Sequence, residues 1–573
     1  MDINPVLVKD KRINQITDSC DYAVYSGASQ NTFQQFPATT QSASNISFNV
    51  QVPSENIVVD RNVLISSTVN FTIAISGVPN TELVPFNIGS NDALQSFALN
   101  KLFTTSSATI NNTNVSVNTQ DVIDALLKQI PQEQLQKYHG MTPTLTDGAF
   151  KLFTDGQTAS NNPLAGYKTS SINNLYLPRG SHPITVNSFW RSSGGVATVT
   201  LTSSGPTDIF YINCTTTLTE PLMCLSPFLF GADNVYNSQG FVGVNSINVV
   251  LNVDSSCKRF WSTANSAYNY TVSLGNLANA TVSAVAKNPF ENTNMLLNFL
   301  STQPTDLVKA KNVVAYSDFP RYLTTNISTL NASSTATYSS QNVQLNQIPD
   351  KLFIFVRKQM ASQDVRDSST FFPIKSISLN FSNASGLLSS SSTQDLFKMS
   401  VDNGLQMNWY EWSGRALFQS ANSNIAPIID IGDAKLPTCG SVLVINPAKD
   451  LSLPAYLSNG SLGQFSVQFN ITVENTTTNN YTPEIVMICQ NSGVFVTQSG
   501  SSSIFTGVLS KQMVLDTVSN QEAFDSGEYD RLVGGMKMSS ALKAVPRPMK
   551  RVAGAMSAGV RSAGLRKLDA MAM

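Results

Sequence analysis

Residues 63–76 read VLISSTVNFTIAIS, and their two parities separate almost without exception. Val63, Ile65, Val69, Phe71, Ile73 and Ile75 share one parity, interrupted only by Ser67. Leu64, Ser66, Thr68, Asn70, Thr72, Ala74 and Ser76 share the other. A period of two puts alternate side chains on opposite faces of a pleat, so the stretch predicts one long strand with a buried face and a wet face. Just upstream, Ile46, Phe48, Val50 and Val52 alternate with Asn45, Ser47, Asn49 and Gln51, and the pattern stops at Pro53. These two strands, joined by PSENIVVDR, predict the first pair of a β-sandwich.

The theme repeats along the 573 residues. Strand periodicity recurs at Val196, Val199 and Leu201, in 209–213 and 244–253, then in 268–274, 343–358, 371–381, 441–446, 464–474 and 485–489. Between about 80 and 190 the pattern changes. There TQDVIDALLKQIPQEQLQKY (119–138) predicts two short helices divided at Pro131, with Asn118 or Thr119 as cap. Many short strands and one notable helical insertion predict an all-β chain of two tandem sandwiches. The expected division is an extended N-terminal arm over 1–40, lying against a neighbouring subunit, a first domain over 41–255 with an insertion at about 80–190, a second over 256–510, and a basic tail over 511–573.

Charged residues make up 13% of the chain, about half the usual share, and Ser, Thr and Asn supply the polar surface. Neutral hydroxyl and amide groups let surfaces pack without stranding unpaired charge, which suits a protein surrounded by other protein. The formal charge of −1 hides an asymmetry. Residues 536–573 hold eight Lys or Arg and one acid, leaving 28 basic and 36 acidic residues of the 36 and 37 in the whole chain, so the body is acidic and the tail basic. Within the tail, Lys543, Arg547, Lys550, Arg551, Arg561, Arg566 and Lys567 accompany Val552, Met556 and Val560 at helical spacing. That composition suits contact with packaged DNA or an anionic membrane, and equally a solvated tail.

The chemistry of an enzyme is missing from the pattern. His139 and His182 are the only histidines, and neither sits in a nucleophile-elbow or protease-like context. No HExxH, paired CxxC or GxxxxGK[ST] occurs, so no catalytic residue, cofactor or metal site is expected. The six cysteines, Cys20, Cys214, Cys224, Cys257, Cys439 and Cys489, share no close spacing and read as buried thiols. Asp402-Asn403-Gly404 and 525–530 read as turns rather than calcium loops. Trp409, Tyr410 and Trp412 form an aromatic cluster read as core or interface rather than a sugar platform. Asn-x-Ser/Thr sites such as Asn45, Asn70 and Asn269 read as strand composition.

IPDKLFIFVR (348–357) carries a resemblance, supported in order by PSENIVVDRNVL (53–64), EPLMCLSPFLF (220–230), GFVGVNSINVVLNVD (240–254), FPIKSISLNFSNASGLL (372–388), FKMSVDNG (397–404), WYEWSG (409–414), PAKDLSLP (447–454) and GVF (493–495). Over roughly 45–500 the chain resembles the double jelly-roll major capsid proteins of polinton-like viruses and their virophage and adintovirus relatives, in the adenovirus hexon lineage. The resemblance implies two eight-stranded jelly rolls, a homotrimer serving as a pseudo-hexagonal capsomer, and a non-catalytic role in an icosahedral double-stranded DNA virion. It also implies neighbouring capsomers and penton and minor capsid proteins as partners, with synthesis in the host cytoplasm and assembly there or in the nucleus. The 80–190 insertion would then form outward loops or lock the trimer. Leu532-Val533-Gly534-Gly535 resembles the site cut by adenovirus-type maturation proteases, which implies cleavage after Gly535. The alternatives are a β-sandwich adhesin or receptor-binding fibre, a single-jelly-roll RNA virus coat protein, and a carbohydrate-active enzyme on a jelly-roll scaffold.

Overall fold

The structure, a computed structural model, describes Ala23–Val24 and residues 34–507, less 147–181, 194–202, 229–239, 264–267, 304–310, 419–433, 454–457 and isolated positions elsewhere. Two β-sandwiches follow one another. In the first, a six-stranded sheet has the order Thr185–Arg191, Ile209–Pro221, Leu64–Ser76, Phe290–Leu297, Gln34–Pro37, and Asn269–Leu274 also pairs with Leu64–Ser76. It faces a five-stranded sheet ordered Thr40–Gln41, Asn45–Gln51, Ser246–Val253, Phe103–Ile110, Thr113–Val117. Leu64–Ser76 is the spine: Ile209–Pro221 pairs with it residue for residue along its whole length.

The expected inward parity holds. Ile65, Val69, Phe71, Ile73 and Ile75 are all fully buried, as are Ile46, Phe48 and Val50 on the facing sheet. The two expected strands are thus opposite walls of one sandwich rather than hydrogen-bonded neighbours. Burying each such side chain stabilises the fold by roughly 1.5–3 kcal/mol. The outer parity is drier than its polarity suggests, because Asn70 and Thr72 are also buried. The chain leaves the sheet after Leu274 and re-enters it at Phe290, pairing with the same edge of Leu64–Ser76 before and after. The ejected lobe lies over the outer face: Thr72 Oγ1 donates to the Gly275 carbonyl at 2.8 Å, and Asn70 Nδ2 to that of Asn288 at 2.8 Å.

The second sandwich repeats the plan. One sheet runs Lys311–Asp318, Pro483–Gln498, Lys351–Lys358, Leu443–Ile445, with Arg321–Thr324 and Ser501–Thr506 also on Pro483–Gln498. The other runs Thr335–Ser339, Leu462–Glu474, Ile374–Phe381, Ala384–Leu387, with Val343–Gln347 on Leu462–Glu474. In Lys351–Lys358, Leu352 to Val356 are all fully buried, so both faces of this strand are covered. Continuous apolar sequence is the mark of such a strand.

Four expectations change. A second cycle does not begin near Cys257, because Asn269–Leu274 and Phe290–Leu297 both pair with Leu64–Ser76, so the boundary expected at 255/256 moves past 300. Much of 80–190 is scaffold rather than excursion, since Phe103–Ile110 and Thr113–Val117 complete the five-stranded sheet. Part of the expected arm lies on its own barrel, where Gln34–Pro37 pairs with Phe290–Leu297 and Ala23–Val24 with Phe299–Gln303. The polar stretch after Ser382 holds a helix, Thr393–Asp402, whose Ser392 and Asp395 form a capping box. The periodic residues Val196, Val199 and Leu201 lie outside the described residues.

Candidate functional site: the junction between the barrels

The helices expected from 119–138 are present as Thr119–Leu127, preceded by Asn118, and Gln132–Gln136, preceded by Pro131. Their placement differs from outward loops. Thr119–Leu127 is sunk between the two sandwiches of one chain, with Val122, Ile123 and Ala125 fully buried. Two carboxylates, Asp121 and Asp124, sit one turn apart on this apolar helix. Asp121 pairs with Arg357 and Arg321 of the second sandwich, and Asp124 with Arg259 and, at 3.4 Å, Lys101.

Arg357 is the pivot. It ends the apolar run of Lys351–Lys358, stands directly opposite Glu484 across the ladder, and donates from Nε to Glu484 Oε1 at 2.7 Å while Nη2 reaches Asp121. Its side chain is 3% exposed. Strand alternation assigns the faces, because Lys351 Nζ also reaches a first-sandwich residue, Gln129 Oε1, at 3.5 Å. Lys351, Phe353, Phe355 and Arg357 therefore face the junction, and Leu352, Ile354 and Val356 face the second core. Burial would raise the Asp124 carboxyl, but Arg259, Lys101 and Arg357 outweigh it and hold it at about 2. Burial likewise opposes the Arg357 charge, and Asp121 and Glu484 more than restore it, leaving its pKa raised.

Two further contacts fix the sandwiches. Arg61, fully buried, donates from Nη1 to the Pro227 carbonyl at 3.0 Å and to the second-sandwich Ala315 carbonyl at 3.4 Å, with Phe241 against Phe495 at 6.0 Å beside it. The hairpin ending in Ser501–Thr506 clasps the Phe103–Ile110/Thr113–Val117 turn: Ser502 N donates to Asn112 Oδ1 at 2.7 Å, Ser502 Oγ to the Ile110 carbonyl at 2.6 Å, and Thr113 Oγ1 to the Ser502 carbonyl at 2.7 Å. Helix, arginine and clasp together make the pair of sandwiches one body.

A family model described as the Sputnik virophage major capsid protein 1st domain matches residues 1–300, more than half of the chain. The chain belongs to the virophage major capsid proteins. A second model, the major capsid protein V20 C-terminal domain, matches 319–493, on the far side of the junction. Capsid protein V20 of Sputnik virophage is 27% identical over 557 residues, covering 94% of this chain and 85% of that protein. The cryo-EM structure of the Sputnik virophage matches with a TM-score of 0.69 at 25% identity, over 93% of this chain and 99% of that one. The mavirus major capsid protein matches with a TM-score of 0.60 at 14% identity, over 90% and 99%. The protein is a double jelly-roll major capsid protein, a structural and non-catalytic component of the shell of an icosahedral double-stranded DNA virophage or virus. It therefore associates with itself in that shell.

The remaining sequence candidates fall into place around this capsid protein. His139 is exposed with Nδ1 3.2 Å from Thr144 Oγ1. His182 is half-buried against the Thr217 carbonyl rather than free in a loop, and burial lowers its pKa. Asn403-Gly404 closes the Thr393–Asp402 helix, with Gly404 at φ +102°, as a turn requires. Trp412 is fully buried and Trp409 packs on it at 6.1 Å, while Tyr410 is 62% exposed. Cys214, Cys257, Cys439 and Cys489 are buried, Cys224 partly so, and all five are free thiols. Asn70 is buried and closed to any glycan. Cys20, residues 525–530, Gly535 and the basic cluster Lys543, Arg547, Lys550, Arg551, Arg561, Arg566 and Lys567 lie outside the described residues. Among the described residues no group of three or more His, Cys, Asp or Glu is placed to hold a metal ion. Sequence patterning alone does not single out Asp121, Asp124, Arg357 and Glu484. The signal they carry is two acids on a largely apolar helix in a chain short of charge.

Proposed function

We propose that three copies of this capsid protein form a pseudo-hexagonal capsomer, each contributing two similar walls. The observation that carries this reading is the junction: two sandwiches locked side by side by buried ion pairs present a fixed doublet, and three doublets make a six-sided tile. Closed rings of identical chains are the common solution for such assemblies, and obligate interfaces of this kind bury about 2,000–5,000 Å² or more. Sedimentation of the purified chain tests it. A stable species of three times 61.9 kDa is expected, and a chain that stays monomeric at high concentration overturns the reading.

The tail is the second element of the proposal. Its basic residues, Lys543 to Lys567, contact an anionic partner inside the shell, packaged DNA or an internal membrane. Penton and minor capsid proteins complete the vertices. Replacing the seven named residues by Ser should weaken binding to DNA or to anionic vesicles and flatten its salt dependence. Unchanged binding to both removes the role. Cleavage after Gly535 would give particle subunits lacking 536–573, and a full-length subunit mass from particles excludes it.

A further inference from the structure

The lobe ejected between Leu274 and Phe290 stands out from the first sandwich. Its stem is stitched down: Asn276 and Lys287 form a bridge, Asn279 and Ala284 form another, and Asn213 Nδ2 donates to the Leu277 carbonyl at 2.9 Å. Gly275, at φ +86°, makes the turn where a Cβ would lie 3.1 Å from the Lys287 carbonyl oxygen. The short 3-10 turn Ala280–Val282 is capped by Asn279, whose Oδ1 accepts from Thr281 N at 2.9 Å, and packs against the edge strand Thr185–Arg191. The lobe is pre-formed by its own hydrogen bonds.

Beyond the half-buried stem residue Lys287, what it presents outward is uncharged, apolar side chains mixed with the exposed hydroxyls of Thr281 and Ser283. Val285 is 73% exposed, Leu277 43% and, on the adjacent edge strand, Val186 41%. From Phe260 to Ala286 the sequence contains no Asp, Glu, Lys or Arg, where the chain average of 13% would place three or four in 27 residues. Charge is depleted where protein surfaces are buried by other protein, and pre-organised apolar surface binds with the least ordering cost. An uncharged surface offers nothing to DNA phosphates or to a strongly charged partner. It fits an equally uncharged surface, and the partner a shell provides in greatest number is this same chain.

We infer that the 277–286 lobe, with Val186, is a contact surface for a second copy of the capsid protein. The inference rests on the self-association of the preceding reading and names the surface that serves it. The test uses the full chain expressed alone, so that only copies of itself can cover the lobe. A Val285→Cys variant in a Cys20→Ser background is labelled with a maleimide. Cys214, Cys257, Cys439 and Cys489 are buried and stay silent in folded protein, and the thiol of the partly buried Cys224 is pushed up to about 12 by burial and Asp124. Labelling at least tenfold slower than a cysteine in a short peptide is expected once the chain is assembled. Protection in the isolated trimer places the contact within the capsomer, and protection only in shells places it between capsomers. Either outcome supports the inference. A Leu277→Asp/Val285→Asp variant should fold with an unchanged melting point and lose at least tenfold in yield of the assembled species. Trimers and shells of the Val285→Cys chain in which the introduced thiol still labels at the peptide rate, or an aspartate variant that assembles normally, overturn the inference while leaving the trimer standing. A wild-type chain that never associates overturns the trimer itself.

Discussion

Replacing Arg357 by Met should weaken the junction between the two barrels, and the cost can be worked from its partners. Asp121 keeps Arg321 when Arg357 is gone, so that carboxylate remains paired. Glu484 is 3% exposed and sits opposite Arg357 in the ladder, so its charge is left buried and uncompensated. Removing one partner of a buried pair costs about 3–5 kcal/mol. At about 2–4 °C per kcal/mol for a sandwich of this size, the melting point should fall by roughly 10 °C. Arg357→Met/Glu484→Met replaces the pair by apolar volume and should recover most of the loss, because a well-packed apolar pair substitutes for a buried ion pair at little net cost. Thermal and denaturant unfolding of the wild type and both variants at pH 7 checks this. A single variant within 2 °C of wild type, or a double variant less stable than the single, would refute the reasoning.

Asp124→Asn should be costly at pH 7, because Lys101 and Arg259 lose their buried counter-charge. The wild-type carboxyl, held at about 2 against an unfolded value of about 3.9, contributes stability above pH 4 that is lost as pH falls toward 2, about 2.5 kcal/mol in all. The two proteins should therefore converge between pH 4 and 2 in denaturant titrations, and a constant gap across that window counts against the ion pair. Gly440→Ala puts a Cβ 1.7 Å from the Phe371 carbonyl oxygen at φ +93°, and should cost more than about 3 kcal/mol or abolish folding, read as soluble yield and melting point.

Much of the architecture was legible because burial leaves a periodic trace. The parity of 63–76, the unbroken LFIFV run, and the Asn118 and Pro131 positions flanking the junction helices all declare local structure. The strands at Phe103–Ile110 and Thr113–Val117 escaped because the first packs Ser106 and Ala108, both buried, on its core side. Ser106 satisfies its hydroxyl by bonding to Thr119 Oγ1 at 2.7 Å, so the apolar alternation that marks a half-buried strand is absent. The boundary near 255 failed for a different reason. Which strand pairs with Leu64–Ser76 is a long-range fact, and Phe290–Leu297 carries no local mark of belonging to the earlier sheet. The helix Thr393–Asp402 did carry its mark, Ser392 three residues before Asp395, but Leu396 and Ser400 are its only buried side chains, so no apolar stripe drew attention to it.

The clasp at Ser501–Thr506 sets a timetable for biosynthesis. Every strand of the first barrel, and nearly all of the second, has been synthesised before the segment that buckles one to the other is made. A nascent chain interrupted ahead of Ser501 would carry two almost finished barrels with one of their fastenings missing. Assembly that needs a stiff doublet then waits on the closing strand of the second barrel, which guards against joining copies whose synthesis is incomplete.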